Sequence, residues 1–237
     1  MASFIVLRIP SQPLDGASIE KRVKSLSAYD NPSDFKEGTK PETFRFSNEC
    51  VYFEAGFEQP EIVESLEETY QVKRFRNVEV IFIGDGFLAV SKPERKDDFD
   101  WVKRFLEAHF VEQIVLDPIQ LEDDVLRRIL EENPDVFEIE QTPTRKGMET
   151  VDRVKVTGRQ VTQSTIFRDY EDEPLRKVKV RLNKVTEGVR VAFYQEGKVT
   201  IFGESEPDRL TAVLKLIVDR IFAPYVRTSS FQTRLSR

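Results

Sequence analysis

The chain contains two related stretches, VRVAFYQEGKVTI at Val189–Ile201 and VEVIFIGDGFLAV at Val78–Val90. They align without a gap when 111 is added to the residue numbers of the earlier stretch. Apolar residues alternate with polar residues before and after a glycine, a pattern typical of a hairpin of two half-buried strands. Gly86 and Gly197 permit the positive φ that a tight hairpin turn often needs. The two stretches therefore predict two equivalent β-hairpins.

An amphipathic helix is predicted after each hairpin, and the two helices align at the same shift of 111 residues. The apolar stripes are Phe99, Val102, Leu106 and Phe110 after the first hairpin, and Leu210, Val213, Leu214, Ile217 and Ile221 after the second. Ser205 and Asp208 resemble a capping box around Pro207, and Asp97 or Asp98 is expected to cap the first helix. We interpret the chain as a tandem duplication. The alternative is a coincidence between two unrelated hairpin–helix units.

The remaining elements follow the duplication more loosely. We expect one half at residues 1–112, a second at 113–224, and a basic tail at 225–237. Each half is expected to read strand, helix, several antiparallel strands, helix. The further predicted strands are Ile5–Leu7, Thr43–Phe46, Val51–Phe57, Ile114–Leu116, Val136–Glu140, Val151–Val156, Thr165–Arg168 and Lys177–Leu182. The further predicted helices contain Ile19 to Leu26 and Leu121 to Leu130, and an additional helix is expected around Pro60 to Tyr70 in the first half only. Mobile loops are expected at Gln141–Glu149 and Tyr170–Pro174.

The segment Gly197–Ser205, with the helix after it, resembles the strand–turn–helix of the TATA-box-binding protein family. The resemblance implies an α+β fold in which tandem strand–helix–antiparallel strand–helix units form one curved antiparallel sheet with helices on one face. Glu204 replaces a lysine of the family motif, and the wedge phenylalanines of the family fall on Tyr194 and Ile83. The chain thus resembles the family in fold, but we do not expect it to act as a general transcription factor. The same fold occurs in accessory domains of ribonucleases H and DNA glycosylases and in paired inner-kinetochore proteins, so it does not fix the function.

Composition and charge limit the class of protein. Apolar residues make up 39% and charged residues 33% of the 237 residues, and no apolar run is long enough to cross a membrane. The single cysteine, Cys50, favours a reducing, cytoplasmic setting and a packing role. The net charge is −6, but residues 1–118 hold 15 basic and 22 acidic residues, and residues 119–237 hold 21 and 20. The two halves are therefore expected to face different partners.

The second half carries a cluster of cations with little acid between them. Lys177, Lys179 and Arg181 alternate with apolar residues, so a strand would place three cations on one face. Such a face suits a phosphate backbone, and an exposed aromatic beside it can stack on a base. The predicted nucleic-acid-binding residues are Arg176, Lys177, Lys179, Arg181, Lys184, Arg190, Tyr194 and Lys198. The alternative is a solvated face or an edge strand protected by lysines, with Tyr194 as a packing residue.

The sequence predicts no enzyme, cofactor or metal site. One histidine, His109, and one cysteine far apart exclude the usual zinc sites and nucleophilic triads. Acid clusters at Asp97–Asp100 and Glu122–Asp124 suit helix N-termini. We therefore expect a non-catalytic protein that binds DNA or RNA through the second half and a protein partner through the acidic first half. The alternative is a pure interaction subunit that pairs with a partner, or with itself, through a sheet edge.

Overall fold

The computed structural model describes residues 1–8, 15–26, 37–64, 69–84, 86–91, 96–110, 119–133, 135–144, 153–182 and 188–224. These residues form ten strands, five α-helices, a 3-10 turn and a π-helical turn. The strands are β1 (Ala2–Arg8), β2 (Glu37–Ser47), β3 (Cys50–Glu64), β4 (Thr69–Ile83), β5 (Phe87–Ser91), β6 (Val136–Gln141), β7 (Val154–Thr157), β8 (Leu175–Leu182), β9 (Val189–Tyr194) and β10 (Lys198–Phe202). The helices are α1 (Gly16–Ser25), α2 (Lys96–His109), α3 (Asp123–Glu132), α4 (Thr165–Asp169) and α5 (Pro207–Ile217), with the 3-10 turn at Val161–Gln163 and the π-helical turn at Val218–Phe222.

Two compact units divide the chain. The N-terminal unit is Ile9–Leu116, and the C-terminal unit is Asp117–Arg237 together with Met1–Arg8. The first strand of the chain thus lies with the later residues, because β1 pairs antiparallel with β10, with Phe4 opposite Val199. The predicted α+β class and antiparallel pairing are confirmed.

The N-terminal unit has the strand order β2-β3-β4-β5. Gly86 has a φ of 83° in the turn between β4 and β5, as the hairpin prediction requires. The apolar side of this sheet contributes Phe53, Val80 and Leu88, each fully buried. Helix α2 adds Leu106, also fully buried, so its predicted stripe forms part of the core. Cys50 is buried, in agreement with a packing role.

The C-terminal unit has the strand order β1-β10-β9-β8-β6-β7. Gly197 adopts a φ of 76° between β9 and β10, and it closes the second predicted hairpin. Phe193 and Ile201 are fully buried, and Leu214 of α5 is as well. Each predicted hairpin is therefore present and is followed by a helix that buries its apolar stripe.

Two of the predicted elements are wrong. Thr165–Arg168 is not a strand but part of α4, because the Ser164 hydroxyl accepts a hydrogen bond from the Phe167 amide at 3.1 Å and caps a short helix. The segment around Pro60 to Tyr70 is not a helix: β3 runs to Glu64, and β4 begins at Thr69. The β-branched and aromatic residues of this segment favour the extended backbone.

The predicted N-caps of two helices also differ from the structure. Helix α5 has Pro207 in its first turn as predicted, but the N-cap is Glu206 and the Ser205–Asp208 capping box does not form. Helix α2 begins at Lys96, so Asp97 and Asp98 lie within it and do not precede it. The predicted strand Ile114–Leu116 and the tail 225–237 lie outside the described residues.

Candidate nucleic-acid interface

The pairing of β8 with β9, and of β9 with β10, aligns the predicted cations on one face of the C-terminal sheet. Lys177 lies opposite Tyr194, Lys179 opposite Ala192, and Arg181 opposite Arg190. Val178 and Val180 are fully buried on the other face, because successive side chains of a strand alternate in direction. We call this surface the basic face; its residues are Lys177, Lys179, Arg181, Arg190, Tyr194 and Lys198.

Tyr194 lies between two lysines of the basic face. The Lys198 ammonium is 3.4 Å from the centre of the tyrosine ring, and the Lys177 ammonium is 5.0 Å from it. Both distances suit cation–π attraction. Tyr194 is half-buried and its neighbour Phe193 is fully buried, so Tyr194 is the more accessible of the two aromatics. Glu196 is within 3.7 Å of the Lys198 ammonium.

A buried glutamate compensates one end of the basic face. Glu138 on β6 is 8% exposed and forms ion pairs with Lys177 and, at 3.1 Å, with Lys155 on β7. Burial alone would raise the pKa of Glu138, but the hydrogen bonds from the two lysines outweigh it and lower that pKa below its usual value. Burial likewise opposes the ionised form of Lys177, yet the Glu138 carboxylate raises the pKa of Lys177 above its usual value. This end of the face is an internal ion-pair network.

Two further cations stack on aromatic rings. The Lys179 ammonium is 4.0 Å from the centre of the Phe202 ring, and the Arg181 guanidinium is 5.2 Å from that of Phe137. These contacts orient both side chains along the surface, and they leave the positive charges without an anionic partner among the described residues.

Arg181 and Arg190 form the uncompensated end of the basic face. They are direct cross-strand neighbours, and neither is in an ion pair with any residue that the structure describes. Arg190 is exposed. The Nε atom of Arg181 is buried and has no hydrogen-bond partner there. Two like charges placed opposite each other repel, so this arrangement costs stability unless an anion bridges them.

The other predicted residues are less closely associated with this surface. Arg176 is exposed on β8, but it alternates with Lys177 and therefore points to the opposite side of the strand. Lys184 lies outside the described residues, as does the basic tail. Sequence reasoning missed Glu138, Phe137 and Phe202. The alternation of Glu138 and Glu140 within β6 was a signal, but it requires knowing that β6 pairs with β8.

No protein-family model matches the sequence, and no curated protein matches it. Within the described ranges, none of the helices combines the length and the apolar character needed to cross a membrane. The same ranges contain no group of three or more histidine, cysteine, aspartate or glutamate side chains arranged to hold a metal ion.

Proposed function

We propose that the protein binds a nucleic-acid backbone through the basic face, centred on Arg181 and Arg190. The observation that carries the proposal is the cross-strand placement of these two arginines without a carboxylate partner among the described residues. Arginine donates two parallel hydrogen bonds to a phosphate, and a phosphate placed between two arginines would remove their repulsion. A ligand anion therefore supplies what the two side chains lack.

Lys179 and Tyr194 extend this site along the sheet. Lys179 is two residues from Arg181 on the same side of β8, about 7 Å along the strand. A backbone that follows β8 would thus meet successive cations. Tyr194 offers a ring on which a base can stack, provided that a base displaces the Lys198 ammonium from one side of it.

The internal ion pairs decide which cations are available. Lys177 is already neutralised by Glu138, and its side chain is only 13% exposed. We therefore assign Lys177 a structural role, and we assign Lys179, Arg181 and Arg190 to the phosphate contacts. The proposed phosphate contacts are thus only some of the cations that the sequence predicts to bind nucleic acid.

The architecture gives the proposal its context. We infer that the chain is a tandem duplication related in fold to the TATA-box-binding protein family, in which a curved sheet serves as a binding surface. The paired Gly86 and Gly197 hairpins, each followed by a helix, support that inference. In this proposal the acidic N-terminal half contacts a protein partner, and the protein is non-catalytic.

A titration with labelled nucleic acids tests the proposal. Fluorescence anisotropy would be measured with short duplex DNA, single-stranded DNA and RNA over a range of salt concentrations. The double variant R181Q/R190Q should weaken binding and reduce the slope of log affinity against log salt by about 2, because two phosphate contacts are lost. The matched control is Arg209→Gln: Arg209 is 67% exposed on α5 and pairs with Glu204. Absence of salt-dependent binding, or an equal effect of the control, would overturn the proposal.

The second candidate function is a protein–protein adaptor. Exposed apolar side chains favour it: Ile62 is 69% exposed and Tyr70 49%, both on the hairpin formed by β3 and β4. An adaptor predicts stable association with a protein and no salt-dependent binding to nucleic acid.

A further inference from the structure

Strands β3 and β4 continue well beyond their neighbours. They pair without interruption from Val51 opposite Phe82 to Glu64 opposite Thr69. Strand β2 pairs with β3 only as far as Phe57, and β5 pairs with β4 only from Val80 to Ile83. Residues 58–64 and 69–77 therefore form a two-stranded ribbon with no further strand on either edge among the residues described. We call this ribbon the arm.

The direction of the backbone amides on β4 can be derived from one hydrogen bond. The Glu79 amide donates to the Ser91 hydroxyl of β5 at 2.8 Å, so it points away from β3. Amide direction alternates along a strand, and the β3–β4 register has no shift. The amides at positions 69, 71, 73, 75 and 77 therefore point to the open edge of β4, where no other strand among the described residues pairs with them.

The open edge of β3 is different. The Glu54 amide donates to the Thr43 hydroxyl of β2 at 2.8 Å, so the even-numbered amides of β3 point away from β4. Pro60 occupies one of these positions and has no N–H group to donate. A proline at such a position blocks strand addition. Of the two edges of the arm, only the β4 edge keeps a complete row of donors.

We propose that the open edge of β4, Thr69–Asn77, docks an extended acidic–apolar segment of another protein by strand addition. This edge carries Lys73, Arg74 and Arg76 and no acidic residue, so its charge complements an acidic strand. The side chain of Tyr70, on β4 itself, is exposed and offers an apolar contact beside the edge. This inference does not depend on nucleic-acid binding by the basic face.

The charge of the edge also disfavours a second copy of this chain as the occupant. Antiparallel self-pairing with full overlap of positions 69–77 opposes each Lys73 to its own counterpart. Like charges directly opposite each other destabilise a strand pair. A lysine at this position therefore hinders self-association, and it still permits pairing with an acidic strand.

A synthetic peptide tests the docking edge on the full chain. The probe is a fluorescein-labelled peptide of alternating glutamate and valine, and a lysine–valine peptide of the same length is its control. Gln71→Pro removes one outward amide from β4 without changing the charge, and Ile62→Pro is the matched variant on the β3 edge. We expect the acidic peptide to bind and Gln71→Pro to weaken it at least about fivefold, the equivalent of one net hydrogen bond, with little effect of Ile62→Pro.

Hydrogen exchange shows whether the arm itself stays folded. The even-numbered amides of β4 should remain protected in both variants, and the odd-numbered amides of the unsubstituted chain should gain protection when the acidic peptide binds. Three outcomes would overturn the proposal: no binding of the acidic peptide, equal binding of the lysine peptide, or equal weakening by the two proline variants. A dimer in sedimentation that Gln71→Pro dissociates would also overturn it, because the occupant would then be a second copy.

Discussion

The ammonium group of Lys198 lies 3.4 Å from the centre of the Tyr194 ring, and Lys177 approaches the same ring at 5.0 Å. The ring, on β9, therefore lies between two ammonium groups from the strands on either side, β10 and β8. Tyr194→Leu should lower the free energy of unfolding by about 1 kcal/mol, because the leucine offers no cation–π attraction to either ammonium group. Tyr194→Phe keeps the π-system and should change stability less. Urea denaturation of both variants measures the difference, and equal losses would mean that the hydroxyl, and not the ring, is the stabilising group.

Gly197 is required by a close backbone approach as well as by its φ of 76°. A Cβ at this position would lie 1.9 Å from the carbonyl oxygen of Ile119, which is a backbone atom and cannot rotate away. Gly203 also has a positive φ, 83°, but a Cβ there would meet no atom within 4 Å. Gly197→Ala should therefore cost at least about 2 kcal/mol more than Gly203→Ala, whose cost is only the roughly 1 kcal/mol of the left-handed backbone. Thermal unfolding of the two variants gives the comparison.

Glu138 should stabilise the fold only while it is ionised. Its folded pKa is lowered relative to the usual value of 4.5, so its contribution is fully present above pH 4.5 and is lost as the pH falls through the folded pKa. Glu138→Gln removes the charge that pairs with Lys177 and Lys155, and it should destabilise the protein by about 2 kcal/mol at neutral pH. The difference between the variant and the unsubstituted chain should shrink in acid. A constant difference down to low pH would contradict the ion-pair account.

The pKa of Glu79 shifts in the opposite direction from that of Glu138. Burial raises the pKa of Glu79 above its usual value of 4.5; the hydrogen bond from the Tyr52 hydroxyl, at 3.1 Å, opposes the rise, and the charge of Glu54 adds to it. A raised folded pKa favours folding below pH 4.5, and this contribution is lost as the pH rises through the folded pKa. Glu79→Gln, which keeps an acceptor for Tyr52, should therefore be more stable than the unsubstituted chain at neutral pH and lose that advantage in acid. Chemical denaturation across this pH range distinguishes the two glutamates.

Local patterns predicted the hairpins, but contacts distant in sequence determined the rest. Alternation and a glycine were enough for the β4–β5 and β9–β10 hairpins, because a tight turn brings sequence neighbours together. Helix α4 was missed because one hydroxyl, that of Ser164, decides its start. The partner of Lys177 was missed because Glu138 is 39 residues away, and only the pairing of β6 with β8 brings them together. The basic face was therefore predictable as a row of cations, and its division into neutralised and uncompensated ends was not.

The segment Tyr170–Pro174 was predicted to be a mobile loop, but in the structure hydrogen bonds fix it to helix α3 and to Thr144. The Arg127 guanidinium donates to the carbonyl oxygens of Glu171 at 2.7 Å and Glu173 at 3.0 Å. The Glu173 side chain is 2% exposed and accepts hydrogen bonds from the Thr144 amide at 2.6 Å and its hydroxyl at 2.7 Å. Buried polar groups that are satisfied in this way hold a loop in one conformation.

Removing the arginine should release this segment. Arg127→Ala removes the arginine donor from both carbonyl groups and leaves the Glu173 carbonyl with the longer bond from the Gln141 side chain, at 3.3 Å. We therefore expect a loss of about 2 kcal/mol and faster amide exchange across residues 170–174. Arg128→Ala is the matched control, since Arg128 is exposed on the same helix, α3, and forms no hydrogen bond or ion pair with the segment among the described residues. Strand β8 begins at Leu175, directly after the segment, and the Leu175 amide donates a hydrogen bond to the Asp123 carboxylate. A loosened segment should therefore also weaken the pairing at the start of β8. Exchange that rises equally in both variants would mean that helix α3 as a whole, and not the Arg127 contact, holds the segment.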